Sequence, residues 1–315
     1  MSLISLWCTA NNASSSRVET PTLLKMFVRW CLTVSSLIAN FCAMSLFGYP
    51  ATMVPVISSS RFVSPHVFLG SGSSAAIIDF SITIKSDTPS RPTQYWPPIT
   101  VRIPYGGGIG GVEHHSDSSE AYYMATPGLH VVMPATVSDA YGLLREAIAS
   151  DDPVVFLEPK RLYWSKDSWN PDEPSAVEPI GRAVVRRQGR SATLITYGPS
   201  VPVCLEAAEA ARAEGWDLEV VDLRSLVPFD DETVAASVRR TGRAVVVHES
   251  NGFGGPGGEI AARVTERCFH HLEAPVLRVA GFDIPYPPPM LERHHLPGVD
   301  RILDAVGRLQ WEAQS

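Results

Sequence analysis

Ile99-Thr100-Val101-Arg102-Ile103-Pro104-Tyr105-Gly106-Gly107-Gly108-Ile109-Gly110-Gly111-Val112-Glu113-His114-His115-Ser116-Asp117 is the stretch on which the fold turns. Residues Ile99–Ile103 are mostly β-branched and predict a strand. The glycines that follow predict a tight loop in which the backbone comes close to a ligand or a neighbouring chain. His130-Val131-Val132-Met133-Pro134 predicts the next strand.

Downstream, Val137, Ala140, Tyr141, Leu144, Ala147 and Ile148 recur at helical spacing, with Thr136 or Ser138 available as the N-cap. Pro153–Leu157 is a continuous apolar run of the kind buried in parallel sheets. Residues 159–179 hold Pro159, Pro171, Pro174, Pro179, Trp164 and Trp169 and predict a linker. A second alternation follows it. Strands are expected at Ala192–Tyr197, Leu218–Asp222, Ala244–His248 and Val276–Ala280, between helical patterns at Val203–Glu214, Glu232–Arg240 and Glu259–Leu272. Strands alternating with helices imply right-handed crossovers and a mostly parallel sheet covered on both faces.

Upstream the text changes character. From Cys31 to Ser60 there is no charged residue, and the Pro-free stretch Trp30–Tyr49 is about long enough to span a bilayer, with Lys25 and Arg29 before it. Ser35, Ser36, Asn40 and Ser45 interrupt it, which argues against a membrane anchor. Residues 58–94 are punctuated by Ser, Pro and Gly and predict poor order or stray strands. Residues 1–96 are thus read as a poorly ordered or membrane-like segment.

With 315 residues the chain suggests two domains. Its formal charge of −7 is uneven, because residues 1–98 hold six basic and three acidic residues, so the acidic excess lies beyond them. No basic patch calls for nucleic acid. Cys8, Cys31, Cys42, Cys204 and Cys268 form no CxxC pair or zinc spacing, which suits a reducing, cytoplasmic setting. Cys204 and Cys268 fall in helical patterns and are read as core fillers.

The loop matches G-x-G-x-x-G at Gly106, Gly108 and Gly111, but that fingerprint must open a helix and be followed by an acidic residue about 20 positions on. The nicotinamide reading therefore fails. His114 and His115 are adjacent, whereas metal-binding pairs on a helix face stand nearer four apart. A loop histidine at the C-terminal edge of a strand can serve as a proton donor near neutral pH.

Taken together, Val101–Gly108, His115-Ser116, Glu120-Ala121-Tyr122, Pro127-Gly128-Leu129, Asp139-Ala140 and Glu158-Pro159-Lys160-Arg161-Leu162-Tyr163 closely resemble the beta subunits of branched-chain 2-oxoacid and pyruvate dehydrogenases. The likeness runs on through Asp222–Leu226, Thr241-Gly242-Arg243, Val247-His248-Glu249, Gly281-Phe282-Asp283, Pro285-Tyr286-Pro287 and Leu296-Pro297. The resemblance implies an α/β, transketolase-like fold: a partial pyrimidine-binding domain over 97–158, a linker over 159–179, and a complete transketolase C-terminal domain over 180–315. It also implies oxidative decarboxylation of a 2-oxoacid, branched-chain rather than pyruvate, with acyl transfer to a lipoyl group. His115 would face the reacting carbon and give a proton to the departing lipoyl sulfur.

The implied partners are an alpha subunit, in a two-plus-two heterotetramer, and a lipoylated acyltransferase core. Thiamine diphosphate and magnesium are the implied cofactors, held mainly by the alpha subunit, since this chain has no G-D-G stretch followed by Asn. A potassium ion is implied at the helix end Ala147, Ile148 and Ser150, with Asp152 beside it, where unpaired carbonyls suit a cation.

The sequence departs from the family upstream. Such subunits carry a glutamate in a D-T-P-L-x-E type motif that protonates the cofactor's pyrimidine, and here the only upstream carboxylates are Glu19, Asp79 and Asp87. A frame error or chimeric gene upstream of Pro97 is the preferred account. A genuine membrane replacement and a catalytically silent subunit, which only binds the alpha subunit or the acyltransferase core, are the alternatives.

Overall fold

A computed structural model of the chain describes residues 98–167 and 178–310, with four strands upstream of them. The Trp30–Tyr49 stretch and residues 168–177 of the expected linker lie outside the described residues. Among the described residues no helix is long and apolar enough to cross a membrane.

The first sheet is built on three parallel strands, β5 (Ile99–Tyr105), β7 (Val154–Pro159) and β6 (His130–Val132), with β7 between the other two. It continues upstream of residue 97 through β1 (Thr52–Ile57), β2 (Phe62–Phe68), β3 (Ile77–Asp79) and β4 (Ser81–Ile84). β4 pairs antiparallel with β5, Ser81 opposite Arg102 and Ile84 opposite Ile99. At the other edge β11 (Ser225–Val227), from the second half of the chain, pairs antiparallel with β6. This sheet is therefore mixed rather than parallel throughout.

The loop after β5 is not wholly irregular, because it contains two five-residue helices, α1 (Val112–Ser116) and α2 (Glu120–Met124). Helix α3 (Val137–Ala149) begins where the sequence predicts, with the Thr136 hydroxyl accepting the Asp139 N–H at 3.2 Å.

The second sheet has the order β13 (Leu277–Gly281), β12 (Ala244–Asn251), β9 (Ala192–Thr196), β10 (Leu218–Asp222), β8 (Val184–Arg187). All neighbours are parallel except β8, an antiparallel edge strand. The chain passes from β9 to β10 on one side and to β12 on the other, so the topological switch lies at the C-terminal end of β9.

Helices α4 (Ser200–Ala210) and α8 (Val299–Leu309) cover one face, burying Cys204, Ala207, Ile302, Val306 and Leu309 against Leu194, Val220 and Val245. Helices α5 (Asp231–Thr241) and α6 (Pro256–Cys268) cover the other. Their cluster is continuous with Tyr105, Val131, Met133, Val155 and Leu157 of the first sheet, so the two sheets share one core. Cys204 and Cys268 are both buried free thiols within these clusters.

A buried ionic cluster crosses the same boundary. Arg224 is fully buried and gives Nε to Asp139 Oδ1 at 2.7 Å, with its two other nitrogens on the carbonyls of Arg182 at 2.9 Å and Glu178 at 2.7 Å. Arg186 bridges Asp139 to Asp222. Burial pushes the Asp222 carboxyl up to about 6, against the pull of Arg186. Removing one member of such a network strands its partners in a low-dielectric site. Arg224→Ala is expected to lower the unfolding free energy of the full chain by about 3–5 kcal/mol, measured by urea denaturation; a loss below about 1 kcal/mol would show that the cluster does not bind the two halves.

Candidate active site at the sheet junction

Strand β5 ends at Tyr105, and the chain then turns through Gly106 and Gly108 at φ +80° and +84°. Side chains other than glycine's are strained there, and at Gly107 a Cβ would collide with the Tyr286 hydroxyl. The loop returns through α1 and closes on itself, Gly106 N–H donating to the Asp117 carbonyl at 3.1 Å. His115 lies in α1, half-buried, inside this closed segment. Its main-chain carbonyl accepts a hydrogen bond from Lys160 Nζ, just after β7. Ser116 beside it is fully buried. His114 occupies the same short helix.

The second half of the chain supplies carboxylates to the loop. Glu249, buried at the C-terminal end of β12, accepts the Gly107 N–H on Oε1 at 3.0 Å. Its Oε2 stands 3.5 Å from a guanidinium nitrogen of Arg161, which donates to the Pro199 carbonyl at 2.7 Å. Burial raises the Glu249 pKa, and Arg161 opposes the rise. Glu292, in α7 (Pro289–His295), accepts the N–H of Gly108 at 2.8 Å and of Gly110 at 3.1 Å, and takes the Tyr286 hydroxyl at 2.7 Å.

Three amides that an anion would seek here are thus received by this chain's own carboxylates. Among the described residues no group of three or more His, Cys, Asp or Glu could hold a metal ion. The described residues do not fit a magnesium-bound diphosphate.

A second buried carboxyl links the sheets. Glu120 Oε1 accepts the hydroxyl of Tyr105 at 2.9 Å and that of Tyr197, at the end of β9, at 2.7 Å. Its other oxygen has no hydrogen-bond partner. Burial, with no cation among its partners, pushes this carboxyl up to about 7, and both tyrosines are pushed upward by the same burial. The Tyr197 ring lies parallel to His248 at 6.2 Å. His248 accepts the Gly257 N–H at 3.1 Å, and burial lowers it to about 4, so it is neutral at physiological pH.

The helix end at Ala147, Ile148, Ser150 and Asp152 lies apart from this junction. There the Ala147 carbonyl accepts both the Thr100 hydroxyl at 2.9 Å and the Ser150 N–H at 3.2 Å. The Ser150 hydroxyl takes the Asp152 N–H at 3.0 Å.

The transketolase pyrimidine-binding domain matches residues 44–165, and the transketolase C-terminal domain matches residues 181–302. The chain belongs to the transketolase family. The pyrimidine-binding match begins upstream of residue 97, within the region that the sequence reading sets apart. Over 213 residues, 67% of the chain, it is 54% identical to the 3-methyl-2-oxobutanoate dehydrogenase subunit beta of Mycobacterium tuberculosis. It is 51% identical over 211 residues to the pyruvate dehydrogenase E1 component subunit beta of Leifsonia xyli. The chain spans 61% and 62% of the lengths of these two relatives. Among solved structures it is similar to a split-gene transketolase described as an inactive beta4 tetramer, with a TM-score of 0.54, 26% identity, and 67% of this chain and 65% of that one covered.

In this member of the transketolase family, Glu120 and Glu249 stand at the candidate site, and neither has a role assigned from the sequence. The signal was in the Glu120-Ala121-Tyr122 and Val247-His248-Glu249 matches, but no local pattern distinguishes a buried carboxylate from a solvated one.

Glu120 carries a testable consequence for pH. Its folded pKa of about 7 lies above the ordinary 4.5, so its contribution to stability is fully present below about pH 4.5 and is lost as pH rises through 7. Glu120→Gln keeps an acceptor for both tyrosines and cannot ionise. Its stability relative to the parent chain should therefore climb between pH 5 and 8, by at most about 3 kcal/mol, in denaturant unfolding across that range. A difference independent of pH would mean that Glu120 is not the titrating group.

Proposed function

We propose that this chain is the beta subunit of a thiamine-diphosphate-dependent 2-oxoacid dehydrogenase, with His115 as its catalytic residue. The observation that carries the reading is the closed Gly106–Asp117 loop, which holds His115 at the C-terminal edges of both sheets. The names of the relatives support it. An imidazole, with an ordinary pKa of about 6.5, can give a proton near neutral pH, here to the sulfur released as a lipoyl disulfide opens. The thiamine group would supply the decarboxylation chemistry when bound.

Because this chain's loop amides are already engaged and its described residues offer no metal cluster, an alpha subunit is assigned the diphosphate and magnesium. The assembly is a two-plus-two heterotetramer that serves a lipoylated acyltransferase core in the cytoplasm. Branched-chain 2-oxoacids are preferred over pyruvate, in line with the higher identity to the 3-methyl-2-oxobutanoate relative. The proposed units are a partial pyrimidine-binding domain over 97–158, a linker over 159–179 and a C-terminal domain over 180–315. Potassium would sit at Ala147, Ile148 and Ser150 with Asp152 beside it, where it competes with the two donors on the Ala147 carbonyl.

The lack of a D-T-P-L-x-E motif favours a second reading, a subunit that binds its partners and is silent as written. Co-expression with an alpha subunit, with and without a family-type N-terminal segment, separates the two. The complex repaired with that segment should decarboxylate 3-methyl-2-oxobutanoate with an artificial electron acceptor, and the chain as written should be weak or inactive. In the repaired complex His115→Ala should lower lipoyl acylation by about 10²–10⁴-fold. Full acylation by that variant would remove His115 from the chemistry, and preference for pyruvate would overturn the substrate assignment.

A further inference from the structure

We propose that Glu249 is a positioning residue for His115, by which the second sheet fixes the loop that carries the catalytic imidazole. This deepens the functional reading above and rests on it. The segment from Gly106 to Asp117 is tied at both ends: Glu249 takes the Gly107 N–H at 3.0 Å, and Lys160 holds the carbonyl of His115 itself. The two ties are linked, because the Glu249 carboxylate faces Arg161 at 3.5 Å and acts on the charge of Lys160.

Glu249 is well placed to be the fixed point. It belongs to the buried strand β12, hydrogen-bonded on both sides to β9 and β13, whereas the second hold on the loop, Glu292, comes from a seven-residue helix whose other side chains are mostly exposed. The approach is also close enough that only glycine fits at 106, since a side chain there would run into the Glu249 carboxylate. Burying a carboxylate costs several kcal/mol, and a neutral glutamine could have accepted the same N–H. What the charge adds is the pull on Arg161 and on Lys160, the second of which holds the far end of the loop at the His115 carbonyl.

Two substitutions separate the bond from the charge. Glu249→Gln keeps an acceptor for Gly107 and loses the charge; Glu249→Ala loses both. In the repaired complex, lipoyl acylation should fall about 10-fold for Gln and about 10²-fold for Ala, with kcat rather than KM affected. Combined with His115→Ala, neither should add to the loss, because both act through one group. Multiplying effects would overturn the proposal.

A readout on the free full-length chain does not depend on activity. Diethyl pyrocarbonate should modify His115 several-fold faster in both variants, and amide exchange should quicken over residues 106–117 but not over β9 and β10. If the complex proved inactive while these changes appeared, the functional reading would fail and the anchoring would stand. Unchanged modification and exchange in both variants would sink the anchoring itself. Should Glu249→Ala fail to fold, the Gln variant carries the same comparisons.

Discussion

Ionisable side chains buried between the two sheets set the terms for everything else in this protein. Taking a charge out of water costs several kcal/mol unless partners replace the solvent, and here the partners come from opposite sides of the boundary. Arg224 from the second half is neutralised by Asp139 of the first, and Glu120 of the first is held by Tyr197 of the second. Glu249 of the second takes an amide of the first. Separating the halves would take from each of these groups a partner that replaces water, so their docking and their polar chemistry are one constraint.

The place of the candidate site follows from where that boundary lies. Strand β5 leads into the loop that carries His115, Lys160 after β7 and Glu249 of β12 bond to that loop, and Tyr197 after β9 bonds to Glu120 just beyond it. Parallel sheets gather their binding loops at such strand ends. The loop needs outside support, because its glycine run gives it tight turns and little side chain to pack. That support is polar, from Glu249, Glu292, Tyr286 and Lys160.

Much of this architecture was legible in the sequence because long apolar runs buried on both faces announce parallel strands. Strand Leu218–Asp222 matches its expected bounds residue for residue, and Ala192–Thr196 and Val154–Pro159 match theirs to within two residues. Shorter elements escaped. Strand β11 has three residues and pairs with β6, some 90 positions earlier, which no local period reveals. Helices α1 and α2 have five residues each, too few for a helical repeat to register. Helix α8 has apolar spacing at Ile302, Ala305, Val306 and Leu309 and lies outside the helices expected from the sequence.

The site was legible in part for the same reason. His115 stands out by its neighbours Ser116 and the glycine run, all within a dozen residues. Glu249 reaches that loop across 142 positions of chain, and Tyr197 reaches Glu120 across 77, so their roles emerge only when the sheets are brought together.

The two sheets and the loop between them form one cooperative unit, tied by the buried groups at their junction. Native-state hydrogen exchange of the full chain at increasing urea tests it most directly. Amides of β5 and β7 should open with the same free energy and denaturant dependence as those of β9, β10 and β12. If the first sheet opened at lower urea while the second stayed protected, the junction would be a loose contact between independent domains, and the polar groups buried there would not be holding the His115 loop in place.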